Sequence, residues 1–341
     1  GKNEAHELRD NKKSYHGKSV LKAVENVNTI IFESLSGYDI FEQENIDNTL
    51  IELDGTPNKK RLGANAILSV SLACADAAAK YLNMPLYKYL GGTKAFRMPT
   101  PMLNIINGGS HANNNLSFQE FMVIPLNCRS FSECIKKASE VFHTLRKILE
   151  KKGISTAVGD EGGFAPNLKN EEQACLFIKD AINNSGYKLG KDFYLALDVA
   201  ASEFYKNKKY KLLSESKSFT SDEFTNYLAK LCKKYSIISV EDPFSEDDWN
   251  AWSKFNAKFG NQMQIVGDDI FTTNINLISK GIKLKTANAV LIKINQIGTL
   301  TETMRAIELA QMNGLETIIS HRSGETENTF ISDLSVATNS G

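Results

Sequence analysis

The chain lacks a charge imbalance: forty basic residues face forty acidic ones in 341, so the formal net charge is zero. A protein that binds nucleic acid or an anionic membrane surface carries an excess of positive charge, so neither role gains support. Long apolar runs are also missing. The nearest, residues 63–75, is too short to span a bilayer and contains Asn65, Ser69 and Ser71. Cysteine is sparse, with five residues and no Cys-x-x-Cys pair, which argues against a disulfide framework or a thiolate zinc site. Cys74, Cys134, Cys175 and Cys232 fall in helix-like stretches, where a free thiol serves as a small hydrophobe. Residues 1–10 hold no apolar segment of the signal-peptide kind. A reduced, cytoplasmic location is expected, with the cell surface or leaderless secretion as the alternative. Arginine is scarce beside lysine, so each Arg stands out.

The chain is long enough for two domains. Its first part reads mainly helical. In residues 17–32, Val20, Val24, Val27 and Ile31 recur on one helical stripe, a second helix precedes Gly55, and a third occupies about 63–82. Pro99 and Pro101 then block helix continuation, and the domain boundary is placed there, giving domains 1–97 and 98–341. Beyond it, short apolar strands alternate with helices that open on capping boxes: Ser130 with Glu133, Thr220 with Glu223, Thr299 with Glu302. Glycines stop several of them, at Gly153, Gly260 and Gly314. The pattern predicts an α/β fold of βα units, a parallel sheet or barrel. Seven strand segments can be read, at 101–107, 118–125, 193–198, 237–242, 264–269, 289–295 and 316–321. A closed barrel has eight.

Four consecutive strand segments end in charge. Asp198 closes "FYLALD", Glu241 closes "IISVE", Asp268 follows "QIVG", and Lys293 lies near the end of "AVLIKIN". In a parallel barrel these ends converge on the face that carries the active site. Three carboxylates from neighbouring strands make a hard oxygen site suited to Mg²⁺. Singly, each acid is explained by a turn or a helix cap, and Asp242 and Asp269, the second acids of their doublets, are assigned such local roles. Strand alternation puts Leu291, Lys293 and Asn295 on one face and Val290, Ile292 and Ile294 on the other. Lys293 then points into the barrel mouth, where partial desolvation would let a lysine act as a base; the alternative is a lysine that snorkels into water.

The last segment delivers "SHRSGETEN", with His321, Arg322 and Ser323. Arg offers a planar fork for phosphate or carboxylate, and hydroxyls beside a glycine help cradle the anion. Two more loops, "NGGSHANNN" with His111 and "VGDEGGFAPN" with Asp160 and Glu161, add glycines and polar groups. Glu161 is either a turn acid or a second acid–base group. Together these parts fit proton removal beside a carboxylate: a neutral Lys takes the proton, and Mg²⁺ stabilises the resulting dianion.

At these residues the sequence resembles the enolases. "LDGTPNKKRLGANAILSVSLA", "NIINGGSHANN", "FQEFMVIP", "GDEGGFAPN", "ALDVAASEFY", "SVEDPF", "VGDD", "LIKINQIGTLTET" and "SHRSGETEN" occur in family order with family-like spacing. The resemblance implies a partial α+β N-terminal domain and an enolase-type (β/α)8 barrel, here without its eighth strand. The second barrel strand would run antiparallel, making 118–125 the return strand of a hairpin. It implies dehydration of 2-phosphoglycerate to phosphoenolpyruvate, with Lys293 as the base and Glu161 as the acid. Asp198, Glu241 and Asp268 would bind Mg²⁺; Arg322 and Ser323 would hold phosphate; His111, Gln119, Glu120 and His321 would line the substrate pocket. Family members are usually homodimers. Two Mg²⁺ ions serve each family site. The serine that binds the second would precede Gly1, and a second lysine would follow Gly341. A polypeptide confined to these residues is therefore expected to show little turnover. The alternatives are another proton-abstracting superfamily member, disfavoured by the two specific loops, and a non-catalytic binding protein that captures host proteins at a surface.

Overall fold

A computed structural model describes residues 1–10, 13–214 and 217–341. It resolves into two compact units: Gly1–Arg97 with Phe271–Lys280 and Val290–Ser340, and Met98–Ile270 with Gly281–Ala289 and Gly341.

In the first unit, helices α1 (Leu21–Asn26), α2 (Gln43–Asp54) and α3 (Ala64–Tyr81) enclose a small core of Ala23, Ile31, Ile46, Leu50, Leu62, Ala66 and Ile67. Gly55 ends α2 with φ of 66°, the left-handed C-terminal position that glycine tolerates best. The expected stripe through α1 holds only in part. After α1 the backbone passes through a π-helical stretch, Val27–Ile31, before α-helix resumes at Phe32. The wider turn rotates the buried face. Ala23 and Ile31 are buried, Val20 and Val27 pack at the margin, and Val24 is 47% exposed.

The second unit carries strands β1 (Leu103–Asn107), β2 (Glu120–Pro125), β3 (Phe193–Asp198), β4 (Ile237–Glu241) and β5 (Gln264–Gly267), side by side in chain order. β2 runs antiparallel to both β1 and β3, as the return strand of a hairpin. β3–β4 and β4–β5 are parallel. The connections include α4 (Phe131–Lys151), α5 (Glu171–Asn184), α6 (Ser221–Tyr235) and α7 (Trp249–Phe259). Ser130, Thr220 and the Thr299 that precedes α8 (Leu300–Met312) each accept from the backbone N–H three residues on. At α6 Glu223 returns the bond to the cap, completing the box; at α4 Glu133 instead accepts from the Arg129 N–H.

The remaining strands, β6 (Ala289–Ile292) and β7 (Glu316–Ile319), account for all seven segments expected. Within the first unit, the Ser320 N–H donates to the Ile292 carbonyl at 2.9 Å. Buried Asp47 of α2 accepts from both the N–H and the hydroxyl of Thr301 at the start of α8, at 2.9 and 2.6 Å. Lys59, 4% exposed, sits 2.9 Å from Glu302. Asp47 and Lys59 are thus each paired, as burial requires. No helix among the described residues is long and apolar enough to cross a membrane.

Aromatic packing dominates the second core. Phe224 of α6 stacks on Tyr210 with ring centroids 4.8 Å apart and meets Phe118, Phe204 and Phe244 edge-on. Phe224→Ala is expected to lower unfolding free energy by about 3–5 kcal/mol. Urea denaturation would measure this, and a loss under 1 kcal/mol would show that the cluster is not a stability centre.

Candidate active site

Register fixes what lies at the strand ends. Glu120 of β2 pairs with Asp198 of β3, and Asp198 with Glu241 of β4. Glu241 pairs with Val266 of β5, so Asp268 follows just past that strand. Asp198 shares a sheet face with Ala196, which packs against Met122 and Ile124 in a narrow apolar cluster. Asp198, Glu241 and Asp268 are all buried. The Gln119 side-chain amide donates to Asp198 Oδ2 at 2.9 Å, and the Ala200 N–H donates to Oδ1 at 3.0 Å.

Asp242 does more than its assigned local role. Its two oxygens accept from the backbone N–H groups of Asp268 and Asp269, at 3.0 and 2.8 Å, and so fix the chain that leaves β5. Ligand oxygens of Asp242, Asp268 and Asp269 also lie within 4.8 Å of one another. Burial, then the charges of Asp269, Asp268 and Asp198, push the Asp242 carboxyl well above the usual carboxylate range. Burial and Asp268 raise Asp269 as well. The doublets "ED" and "DD" were the only sequence signal for this cluster. An all-oxygen set of two buried acids and half-buried Asp269, repelling one another, fits a small hard cation such as Mg²⁺.

Glu120, His111 and Glu161 form a second group in the same unit. His111 Nδ1 is 3.5 Å from Glu120 Oε1 and 3.6 Å from Glu161 Oε2. The turn that bears Glu161 lies flat on β1. Asp160 N–H donates to the His111 carbonyl at 3.0 Å, and Gly159 N–H to the Gly163 carbonyl at 2.8 Å. A Cβ on Gly159 would stand 2.7 Å from Asn107 Cβ, and one on Gly163 would stand 2.8 Å from Asn107 Oδ1. Glycine is needed at both positions for this close approach. Asn104 of β1 donates from Nδ2 to Glu161 Oε2 at 3.3 Å. Sequence reasoning passed over Asn104, although a polar residue inside an apolar strand is the same signal that drew attention to Lys293.

In the first unit, Lys293 directly follows β6, and strand alternation stops before it. Ile294–Ile297 is a helical turn with Lys293 as its N-cap, so Ile294 and Asn295 do not continue the strand faces. The Lys293 backbone N–H donates to Thr273 Oγ1 at 3.0 Å, and the residue is half-buried. His321, Arg322 and Ser323 follow β7, with His321 and Ser323 exposed. Arg322 Nη1 donates to Glu4 Oε2 at 2.9 Å and faces Asn295 Oδ1 at 3.5 Å. Its guanidinium is already engaged with a carboxylate oxygen, the interaction its geometry favours.

Two family models cover these elements: residues 95–341 match the enolase C-terminal TIM barrel domain, and residues 1–90 match the enolase N-terminal domain. The chain belongs to the enolase family. It is an α/β protein and an enolase-superfamily lyase, and enolase membership implies Mg²⁺. The enolase N-terminal match falls on α1–α3, and the barrel match takes in all of β1–β7.

A cation that binds only the folded acid cluster must stabilise the fold, by about 2.7 kcal/mol at a hundred times its dissociation constant. Mg²⁺ is therefore expected to raise the thermal midpoint, and Asp268→Asn to remove most of that rise. A midpoint indifferent to Mg²⁺ would contradict the cation reading.

Proposed function

We propose that this enolase-family protein dehydrates 2-phosphoglycerate to phosphoenolpyruvate. One observation carries the reading: the Glu120–Asp198–Glu241 register brings the His111–Glu120–Glu161 group and the buried acids to the same strand ends of the second unit. A site that must both neutralise a substrate carboxylate and protonate a leaving group needs both kinds of carboxylate, held apart by environment.

In this reading Arg322 and Ser323 hold the phosphate, while His111, Gln119, Glu120 and His321 line the pocket. Asp198, Glu241 and Asp268 would hold Mg²⁺, which when bound supplies positive charge to the substrate carboxylate. Lys293 Nζ, as the neutral amine, accepts the proton from C2. The C–H electron pair moves onto the substrate carboxylate. It then returns to form the C2–C3 double bond as the C3–O bond breaks. Glu161 gives its proton to the departing hydroxide, which leaves as water. Asn104 and His111 orient Glu161 for that transfer, and Gln119 orients Asp198.

General acid or base groups contribute roughly 10²–10⁴-fold each. In the natural protein, with Mg²⁺ and 2-phosphoglycerate, Lys293→Ala and Glu161→Gln are each expected to cut kcat by about that factor. The ultraviolet absorbance of the enol phosphate follows the reaction. A Lys293→Ala protein within a few-fold of the parent would refute the base assignment. A parent that ignores 2-phosphoglycerate but exchanges the α-proton of other acids would point to another superfamily reaction.

A further inference from the structure

Arg322 is assigned to the substrate phosphate, yet its guanidinium already meets two groups, both through the same nitrogen. Nη1 donates to Glu4 Oε2 at 2.9 Å and to Asn295 Oδ1 at 3.5 Å. A guanidinium carries five N–H donors, two of them on Nη1, so these contacts leave the donors of Nε and Nη2 over. Among the described residues nothing takes those donors. The parallel N–H groups of Nε and Nη2 form the side-on edge of the fork, an edge that can grip two oxygens of one phosphate.

The segment that carries Glu4 is pinned. Ala5 N–H donates to the Gln296 carbonyl at 2.7 Å, His6 N–H donates to the Asn58 carbonyl at 2.7 Å, and Ala64 N–H donates back to the His6 carbonyl at 2.8 Å. The Asn65 side chain brackets Leu8, accepting from its N–H at 3.0 Å and donating to its carbonyl at 3.1 Å. Leu8 itself packs on the small core of the first unit. The other oxygen of Glu4, Oε1, accepts from the Gly1 amine at 2.7 Å. Ion pairs between long, loose, exposed side chains contribute little. This pair differs, because the Glu4 side chain is only 22% exposed and its backbone is fixed one residue on.

We propose that Glu4 is a positioning residue for the dehydration: it holds Nη1 so that the Nε–Nη2 edge of Arg322 is set to receive the substrate phosphate, which rests on the assignment of that phosphate to Arg322. One short element ties this grip to the base. The helical turn Ile294–Ile297, capped by Lys293, supplies the Gln296 carbonyl that anchors Ala5 and the Asn295 oxygen that meets Arg322. All of these residues belong to the first unit. A guanidinium fixed beforehand loses less rotamer freedom when phosphate arrives, so more of the contact appears as affinity. The sign of the effect separates this role from its opposite. A carboxylate that merely competed with phosphate for Arg322 would, on removal, tighten phosphate binding; one that orients the fork would, on removal, loosen it.

The test titrates the natural protein and its variants with inorganic phosphate by calorimetry, and measures KM and kcat for 2-phosphoglycerate. Glu4→Ala is expected to weaken phosphate and raise KM by about tenfold while kcat stays within about twofold, as for binding shared by ground and transition states. Glu4→Gln keeps an acceptor oxygen at the same reach and should recover most of the loss. In an Arg322→Ala background, Glu4→Ala should change neither value further, because it acts through that side chain. Phosphate bound as tightly by Glu4→Ala as by the parent, or more tightly, would overturn the proposal. So would a Glu4→Gln protein no better than Glu4→Ala, or an undiminished Glu4→Ala effect in the Arg322→Ala background. An Arg322→Ala protein that binds phosphate like the parent would overturn the phosphate assignment together with the role of Glu4. Weakening by Arg322→Ala without weakening by Glu4→Ala would overturn the role of Glu4 alone.

Discussion

Burying several like-charged carboxylates side by side is the constraint on which the second unit depends. Parallel register places Asp198 and Glu241 on adjacent strand ends, and Asp268 follows one strand over. Isolated buried carboxylates would neutralise themselves by taking up protons. Here the fold offsets part of the repulsion with dipoles. Gln119 donates to Asp198, and Asp242 collects the N–H groups of Asp268 and Asp269. What these neutral donors leave uncompensated is what a divalent cation would supply, the Mg²⁺ that enolase membership implies.

The acid beside this cluster is positioned by backbone rather than by strand. Glu161 rides on a turn that can lie against β1 only because Gly159 and Gly163 have no side chain to collide with Asn107. Asn104 and His111 then approach its carboxylate from two further segments. Rigid strands thus fix the buried acids, and a close-packed glycine turn fixes Glu161, the proposed acid. A carboxylate confined in this way loses little further entropy when substrate binds.

Local chemistry made much of this legible. The seven strand segments, the caps at Ser130, Thr220 and Thr299 and the stop at Gly55 all follow from periodicity and terminus signals within a few residues. Features set by distant residues were not legible. Val24 is exposed and a π-helical stretch follows α1, and nothing in the local spacing announces either. The stretch "IKIN" reads as strand by alternation, whereas the backbone turns helical at Ile294. The bonds from Thr301 to Asp47 and the pairing of Lys59 with Glu302 join segments far apart in the chain. Asp242 looked like a turn former, and its grip on the two amides beyond β5 appears only when β4 and β5 lie side by side.

In the proposed reaction, cation-backed proton removal by Lys293 precedes Glu161-assisted loss of hydroxide. Exchange of the C2 proton of 2-phosphoglycerate in deuterated water, followed by NMR, tests it most directly. The expected exchange needs Mg²⁺, persists in Glu161→Gln although product formation collapses, and vanishes in Lys293→Ala. Exchange that survives loss of Lys293, or proceeds equally well without a divalent cation, would contradict it.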